Sequence, residues 1–229
     1  MSTTGSPRPH ADPAGAAVTA NAADDDAELF WEEHYGTPRT GGERANPLLV
    51  ETAGPLPPGA ALDLGCGPGG DTLWLARRGW QVTAVDISGT AVERVGARAR
   101  ELGLGNRVTA ERHDLTRTFP DGTFDLVSAQ YLRTPFPFPR GRVLRTAARA
   151  LRPGGLLLIV DHGSTAPWSW DQDPGAQHPT PHEIAEDLGL DPGQWPVLRA
   201  DMPRRRAVGP AGGTATVTDT VLIVRRAAP

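Results

Sequence analysis

Ala61 to Gly70, ALDLGCGPGG, is the stretch whose reading decides the fold. Ala61 to Leu64 is a short apolar run of buried-strand character, and it stops against three alternating glycines, Gly65, Gly67 and Gly69. Lacking Cβ atoms, these let the chain turn sharply and bring its backbone close to a ligand. A helix is expected next, around Asp71 to Arg78, with its first amides aimed at that ligand. Strand, glycine turn and helix in this order open a parallel sheet that binds at the carboxyl ends of its strands.

The same alternation continues down the chain. Gln81 to Val85 is the second expected strand. Ser88 then caps a helix with apolar residues at Ala91, Val92, Val95, Ala99 and Leu102, stopped by Gly103. Arg107 to Arg112 and Phe124 to Ala129 are the third and fourth strands, the latter entered from the Asp121-Gly122 turn. Val143, Leu144, Ala147, Ala148 and Leu151 mark a further helix, which Pro153-Gly154-Gly155 should end. Leu156 to Val160 is apolar throughout, as a strand covered on both faces must be. Thr180-Pro181-His182-Glu183 joins a capping box to a proline at the first helical position. A hairpin around Gly209 to Gly213 is expected to close the chain, its second strand running from Thr214 to Val224. The expected fold class is α/β, a Rossmann-like doubly wound sheet with right-handed crossovers.

Residues 1–25 are rich in Ala, Pro, Thr, Ser and Asp and carry no apolar periodicity, so they are expected to be a disordered tail. Order should start at Asp26, the cap of a short helix bearing Phe30, Trp31, His34 and Tyr35, and residues 26–229 are expected to form one domain. The formal net charge of −4 argues against nucleic acid and anionic membrane as partners. All 23 basic residues are arginine, a signature of a high-G+C bacterial genome. With Cys66 as the sole cysteine, an internal disulfide is impossible and a reducing compartment is expected. There is no apolar run of membrane-spanning length and no secretory leader, which makes the cytoplasm the expected location.

The pattern Gly65-x-Gly67-x-x-Gly70 alone also fits a dinucleotide site. The acids separate the readings. Asp86, ending the second strand, suits a ribose hydroxyl pair in either case. Asp63, inside the first strand, would repel a pyrophosphate but favours a ligand bearing ammonium and sulfonium charges. Asp114, after the third strand, suits an adenine amino group. Three carboxylates at successive strand ends describe a cationic nucleoside.

At this point ALDLGCGPGG, TAVDIS (Thr83 to Ser88), RHDL (Arg112 to Leu115), FDLVSAQYL (Phe124 to Leu132) and LRPGGLLLIV (Leu151 to Val160) resemble, in order and spacing, the motifs of class I S-adenosylmethionine-dependent methyltransferases. FWEEHYG, Phe30 to Gly36, is similar to the entry segment of the bacterial tellurite-resistance and thiopurine enzymes. The resemblance implies a seven-stranded sheet, mostly parallel with an antiparallel last strand. It also implies that Gly65, Gly67 and Gly69 line the methionine part of S-adenosylmethionine and that Asp63 acts near its amino group. Asp86 would hold the ribose, Ile87 and Leu115 would lie against the adenine, and Asp114 would take its amine. Ala129 and Gln130 complete the cofactor set. Cys66 is a small filler within the loop.

Other residues stay open between two roles. Trp31 and Tyr35, at i and i+4, cover the cofactor or simply pack an amphipathic helix. His34 is a general base or a bystander on the polar face. Tyr131 follows the fourth strand, where it would place the acceptor. His162, after Asp161 at the end of the fifth strand, is a proton acceptor or a hydrogen-bonded loop histidine. Arg133 stands where similar sequences carry histidine; it suits an acidic substrate, or no base is needed there. Trp168 and Trp170 form a lid over the substrate or cap the core. Arg204, Arg205 and Arg206 are expected to be a solvated strand end. No metal is expected, since Pro179 and Pro181 interrupt the spacing of His178 and His182. The implied reaction is methyl transfer to an O, N, S or metalloid nucleophile of a small molecule. The rivals are an NAD(P)-dependent oxidoreductase and a non-catalytic binder of S-adenosylmethionine. The oligomeric state and the acceptor are not encoded in any motif.

Overall fold

The computed structural model describes residues 26–37, 44–169, 177–209 and 212–228. The expected tail at 1–25 and Trp170 lie outside them. Residues 26–36 are helical (α1), and α2 (Pro47–Ala53), β1 (Ala60–Leu64), α3 (Gly70–Arg77), β2 (Gln81–Asp86), α4 (Gly89–Glu101), β3 (Val108–Arg112) and β4 (Phe124–Gln130) follow. The second half contains α5 (Arg140–Arg149), β5 (Leu151–His162), α6 (Pro181–Leu188), β6 (Val197–Asp201), β7 (Arg204–Val208) and β8 (Thr214–Arg225).

Seven strands lie in the order β3-β2-β1-β4-β5-β8-β6, with β8 antiparallel to both of its neighbours and β1 to β5 mutually parallel. Period-two alternation divides each strand between two cores. Leu62 and Leu64 face Leu144, Ala147 and Ile184 on the α5 and α6 side. Ala61 faces Leu49, Leu75 and Trp80 on the α2 and α3 side. No helix among the described residues is long and apolar enough to cross a membrane.

Local caps act where the sequence placed them. The Ser88 hydroxyl accepts the Ala91 amide at 3.1 Å, and Gly103, at φ +70°, follows the end of α4. Thr180 and Glu183 form the capping box that starts α6, with Pro181 inside its first turn. The fifth strand departs from expectation. It begins at Leu151, which already pairs with Phe124, so Arg152 to Gly155 form an irregular stretch within β5 and the preceding helix ends earlier, at Arg149.

The expected hairpin is present, and it does more than close the sheet. Its β7 arm pairs only with Thr214 to Thr218, whereas Asp219 to Arg225 pair with β5. His162, the last residue of β5, is opposite Asp219. The β7/β8 ribbon therefore runs on past the carboxyl end of β5 and overhangs the ligand-binding edge. Edge strand β6 was not legible: its burial shows no alternation, and backbone pairing with β8 organises it.

Candidate active site

The glycine turn is built by backbone geometry. Gly65, Gly67 and Gly69 have φ of +70°, +47° and +86°, which favour glycine. Space imposes a second limit at Gly67, where an added Cβ would come 2.9 Å from the Tyr35 hydroxyl. The Gly65 and Cys66 amides donate to Val85 O at 2.8 and 2.9 Å, locking the turn to the end of β2.

The acids are tied into this frame. Asp86 accepts the Gly67 amide at 2.9 Å and the Ser88 amide at 3.0 Å, so one carboxylate joins the two loops that flank the cleft. Asp63 is almost fully buried and accepts the Thr72 hydroxyl at 2.6 Å. Burial, then repulsion from Asp71 and Asp86, pushes its pKa up to about 7 against the Thr72 hydrogen bonds. Asp71, which takes the Asn46 amide at 2.6 Å, is raised by burial to about 6. Among the described residues, none of Asp63, Asp71 and Asp86 is ion-paired with an arginine. The Cys66 thiol, enclosed with Ala84 and Val95, is pushed far up by burial and then by Asp86 and Asp63, which suits a filler and not a nucleophile.

A cleft opens above the turn. Its walls bring together Trp31 and Tyr35 of α1, Gly65, Asp86, Ile87, Asp114, Leu115, Tyr131 and Arg133. Asp114 also holds the Thr116 amide at 2.9 Å and pairs with Arg117 at 3.4 Å. Gly67 and Gly69 lie beneath this wall. Ala129 is packed in the core, and the Gln130 amide nitrogen turns to Ser128 Oγ at 2.9 Å.

At the far end, Tyr131 has φ +52° and stacks on His162 with ring centroids 4.3 Å apart. Its hydroxyl donates to Asp219 Oδ1 at 3.0 Å and accepts from Arg205 Nη2 at 3.0 Å. Burial, then Asp219, raises the phenol to about 12, so it stays neutral. Partial enclosure lowers the His162 pKa, an effect that Asp161 opposes and Arg133 reinforces. Fully buried Asp161 lies 2.6 Å from Arg140 and 4.0 Å from Arg133, without the alignment of a hydrogen bond.

His34 sits among Phe30, Trp31 and Tyr35 on α1, outside the cleft wall. Trp168 packs on the Gly209 backbone, where an added Cβ would come 2.5 Å from its ring, and it does not line the cleft either. Arg205 corrects the solvated strand end: it turns inward to Asp219, while Arg204 and Arg206 stay exposed. Glu32 was also missed. It lies on α1 and accepts Ser88 Oγ at 3.1 Å, the Thr90 amide at 3.2 Å and the Gly89 amide. Its partners are more than fifty residues away, beyond the reach of any local motif. Among the described residues no group of three or more potential ligands is placed to hold a metal.

Comparison with known proteins agrees with this geometry. Residues 61–155 match the family model described as a methyltransferase domain. The 27-O-demethylrifamycin SV methyltransferase of Amycolatopsis mediterranei (strain S699) is 36% identical over 58% of this chain and 49% of its own. This chain spans about half or less of the length of the first curated relatives it matches. A solved structure concerned with conversion of a disulfide bond into a thioacetal group during echinomycin biosynthesis aligns with a TM-score of 0.67 and 27% identity, covering 88% of this chain and 92% of that one. TehB from Haemophilus influenzae shares the fold, with a TM-score of 0.60 and 18% identity over 87% of this chain and 67% of its own. The glycine turn, the acids at the ends of β1 and β2, the strand order and these matches converge on a class I S-adenosylmethionine-dependent methyltransferase domain, the region the family model matches being residues 61–155.

Proposed function

We propose that the protein transfers the methyl group of S-adenosylmethionine to a nucleophilic atom of a small molecule. One observation carries this reading: buried acids without an arginine partner surround a glycine turn beneath an open cleft. That donor set fits a cationic nucleoside and opposes a pyrophosphate. Asp63 would compensate the amino group through the turn, Asp86 would hold the ribose, and Ile87 and Leu115 would sandwich the base near Asp114. Trp31 and Tyr35 would cover the ligand.

S-Adenosylmethionine, when bound, supplies a methyl carbon already activated by its sulfonium. The protein's task is then to align the acceptor and exclude water. Tyr131, fixed at its hydroxyl by Arg205 and Asp219, would form the wall against which the acceptor sits. Its neutral phenol makes it a positioning group and not a base. His162, exposed and outside the cleft wall but stacked on the cleft-lining Tyr131, would take the proton of an acceptor that must lose one, its lowered pKa favouring the neutral ring. Arg133 faces the same space and would meet an acidic group on the acceptor. This assignment leaves His34 and Trp168 without a chemical role. A small acceptor is supported by the relatives' names and by a net charge of −4, which offers no field for nucleic acid.

The test is formation of S-adenosylhomocysteine in the presence of thiols, phenols, amines and metalloid anions. The expected result is acceptor-dependent release, with His162→Gln slowing phenols more than thiols. Tight cofactor binding without release for every acceptor class would favour a non-catalytic binding protein.

A further inference from the structure

The contacts of α1 point to a positioning role for a residue outside the cleft wall. None of the described α1 side chains is fully buried, and Leu29 is 66% exposed. Such a helix has little hydrophobic anchorage, so polar contacts decide whether it stays docked. Those contacts converge on one short segment. Glu32 accepts Ser88 Oγ, the Gly89 amide and the Thr90 amide, while Ser88 Oγ accepts the Ala91 amide. Together they satisfy the first amides of α4, at the end of the helix where its dipole favours an anion. Glu28 pairs with Arg112, whose Nε donates to Ile87 O at 3.0 Å, and Arg94 donates to Tyr35 O at 2.8 Å. The segment so gripped, Asp86 to Thr90, holds the proposed ribose and adenine contacts. On the same helix Trp31, next to Glu32, and Tyr35, three residues beyond it, line the cleft.

We infer that Glu32 is a positioning residue that latches α1 over bound S-adenosylmethionine by capping α4, so that it sets how long the cofactor is retained. The inference rests on the cofactor reading given above. Loss of the latch leaves the strand-end side of the cleft intact but lets the α1 side lift, so the dissociation rate rises more than the association rate falls. Hydrogen bonds to the carboxylate hold the Glu32 pKa below its ordinary value although partial burial opposes them, so the latch is charged at neutral pH.

The experiment is stopped-flow tryptophan fluorescence of S-adenosylhomocysteine dissociation for the wild type, Glu32→Ala and Glu32→Gln. Thermal melting of the ligand-free proteins and hydrogen exchange of the complexes accompany it. Expected are a roughly tenfold or greater rise in dissociation rate for Glu32→Ala and a smaller rise for Glu32→Gln. Exchange should quicken in residues 26–36 while β4 and β5 stay protected, with ligand-free melting little changed. Equal dissociation rates in all three proteins would overturn the latch and leave the cofactor reading standing. Failure of the wild type to bind S-adenosylhomocysteine would overturn both. A fall in melting temperature large enough to account for the weakened binding would also overturn it, reducing Glu32 to a structural cap.

Discussion

Arg205 and Asp219 meet where the β7/β8 ribbon leaves the main sheet, guanidinium Nε to carboxylate Oδ2 at 2.5 Å, with the Tyr131 hydroxyl within 3.0 Å of both. Asp219 is 1% exposed and Arg205 only half-buried. The two partners are therefore not equivalent. Arg205→Ala strands a buried carboxylate and should cost about 3 kcal/mol. Asp219→Ala leaves a guanidinium that can turn to water and should cost about 1–2 kcal/mol. Urea denaturation of both variants measures the difference; the opposite order would contradict this account of the ribbon.

Binding of S-adenosylmethionine should release protons. Asp63 and Asp71 have pKa values raised by burial to about 7 and about 6, so the folded protein holds protons that the unfolded chain has lost above about pH 4. Their linkage makes the ligand-free protein less stable as pH rises through that window, the full loss being reached above about pH 7. A cationic ligand favours the ionised acids, so affinity should increase from about pH 6 to about pH 8. Calorimetry in buffers of different ionisation heat detects the released protons, and Asp63→Asn should diminish them. Proton uptake would contradict the assignment.

Gly67 and Gly103 both have positive φ, but only Gly67 has a neighbour where a Cβ would stand. Alanine at either position should cost roughly 1–2 kcal/mol of stability through backbone strain. Gly67→Ala should in addition displace Tyr35 and weaken cofactor binding, whereas Gly103→Ala should leave affinity unchanged. Paired melting and binding measurements separate the two effects.

Asp86→Ala should weaken S-adenosylhomocysteine binding by at least about 1 kcal/mol, through the lost ribose contact and the freed Gly67 and Ser88 amides. Unchanged affinity in an equilibrium titration would remove the ribose assignment.

What was legible in the sequence was what is decided locally. The β1 strand, the glycine turn, the Ser88 cap and the Thr180 box each depend on residues within a few positions of one another, and the structure contains all of them. The carboxylates at strand ends were legible because strand order follows from the alternation of elements. Glu32 was not, since a glutamate on a polar helix face gives no sign of a partner on α4. Arg205 was hidden by its exposed neighbours, and only the register of β7 on β8 turns it toward Asp219. Edge strand β6 lacked any apolar pattern to mark it. Long-range pairing of polar groups, set by topology, is the part that composition and periodicity do not encode.

Parallel calorimetric titration of the purified protein with S-adenosylmethionine, S-adenosylhomocysteine and NADH tests the central claim most directly. The account requires micromolar or tighter binding of the first two and none of NADH, because buried acids with no arginine partner beside the glycine turn favour a sulfonium and repel a pyrophosphate. Binding of NADH alone would contradict the roles given to Asp63 and Asp114 and, with them, the proposed function.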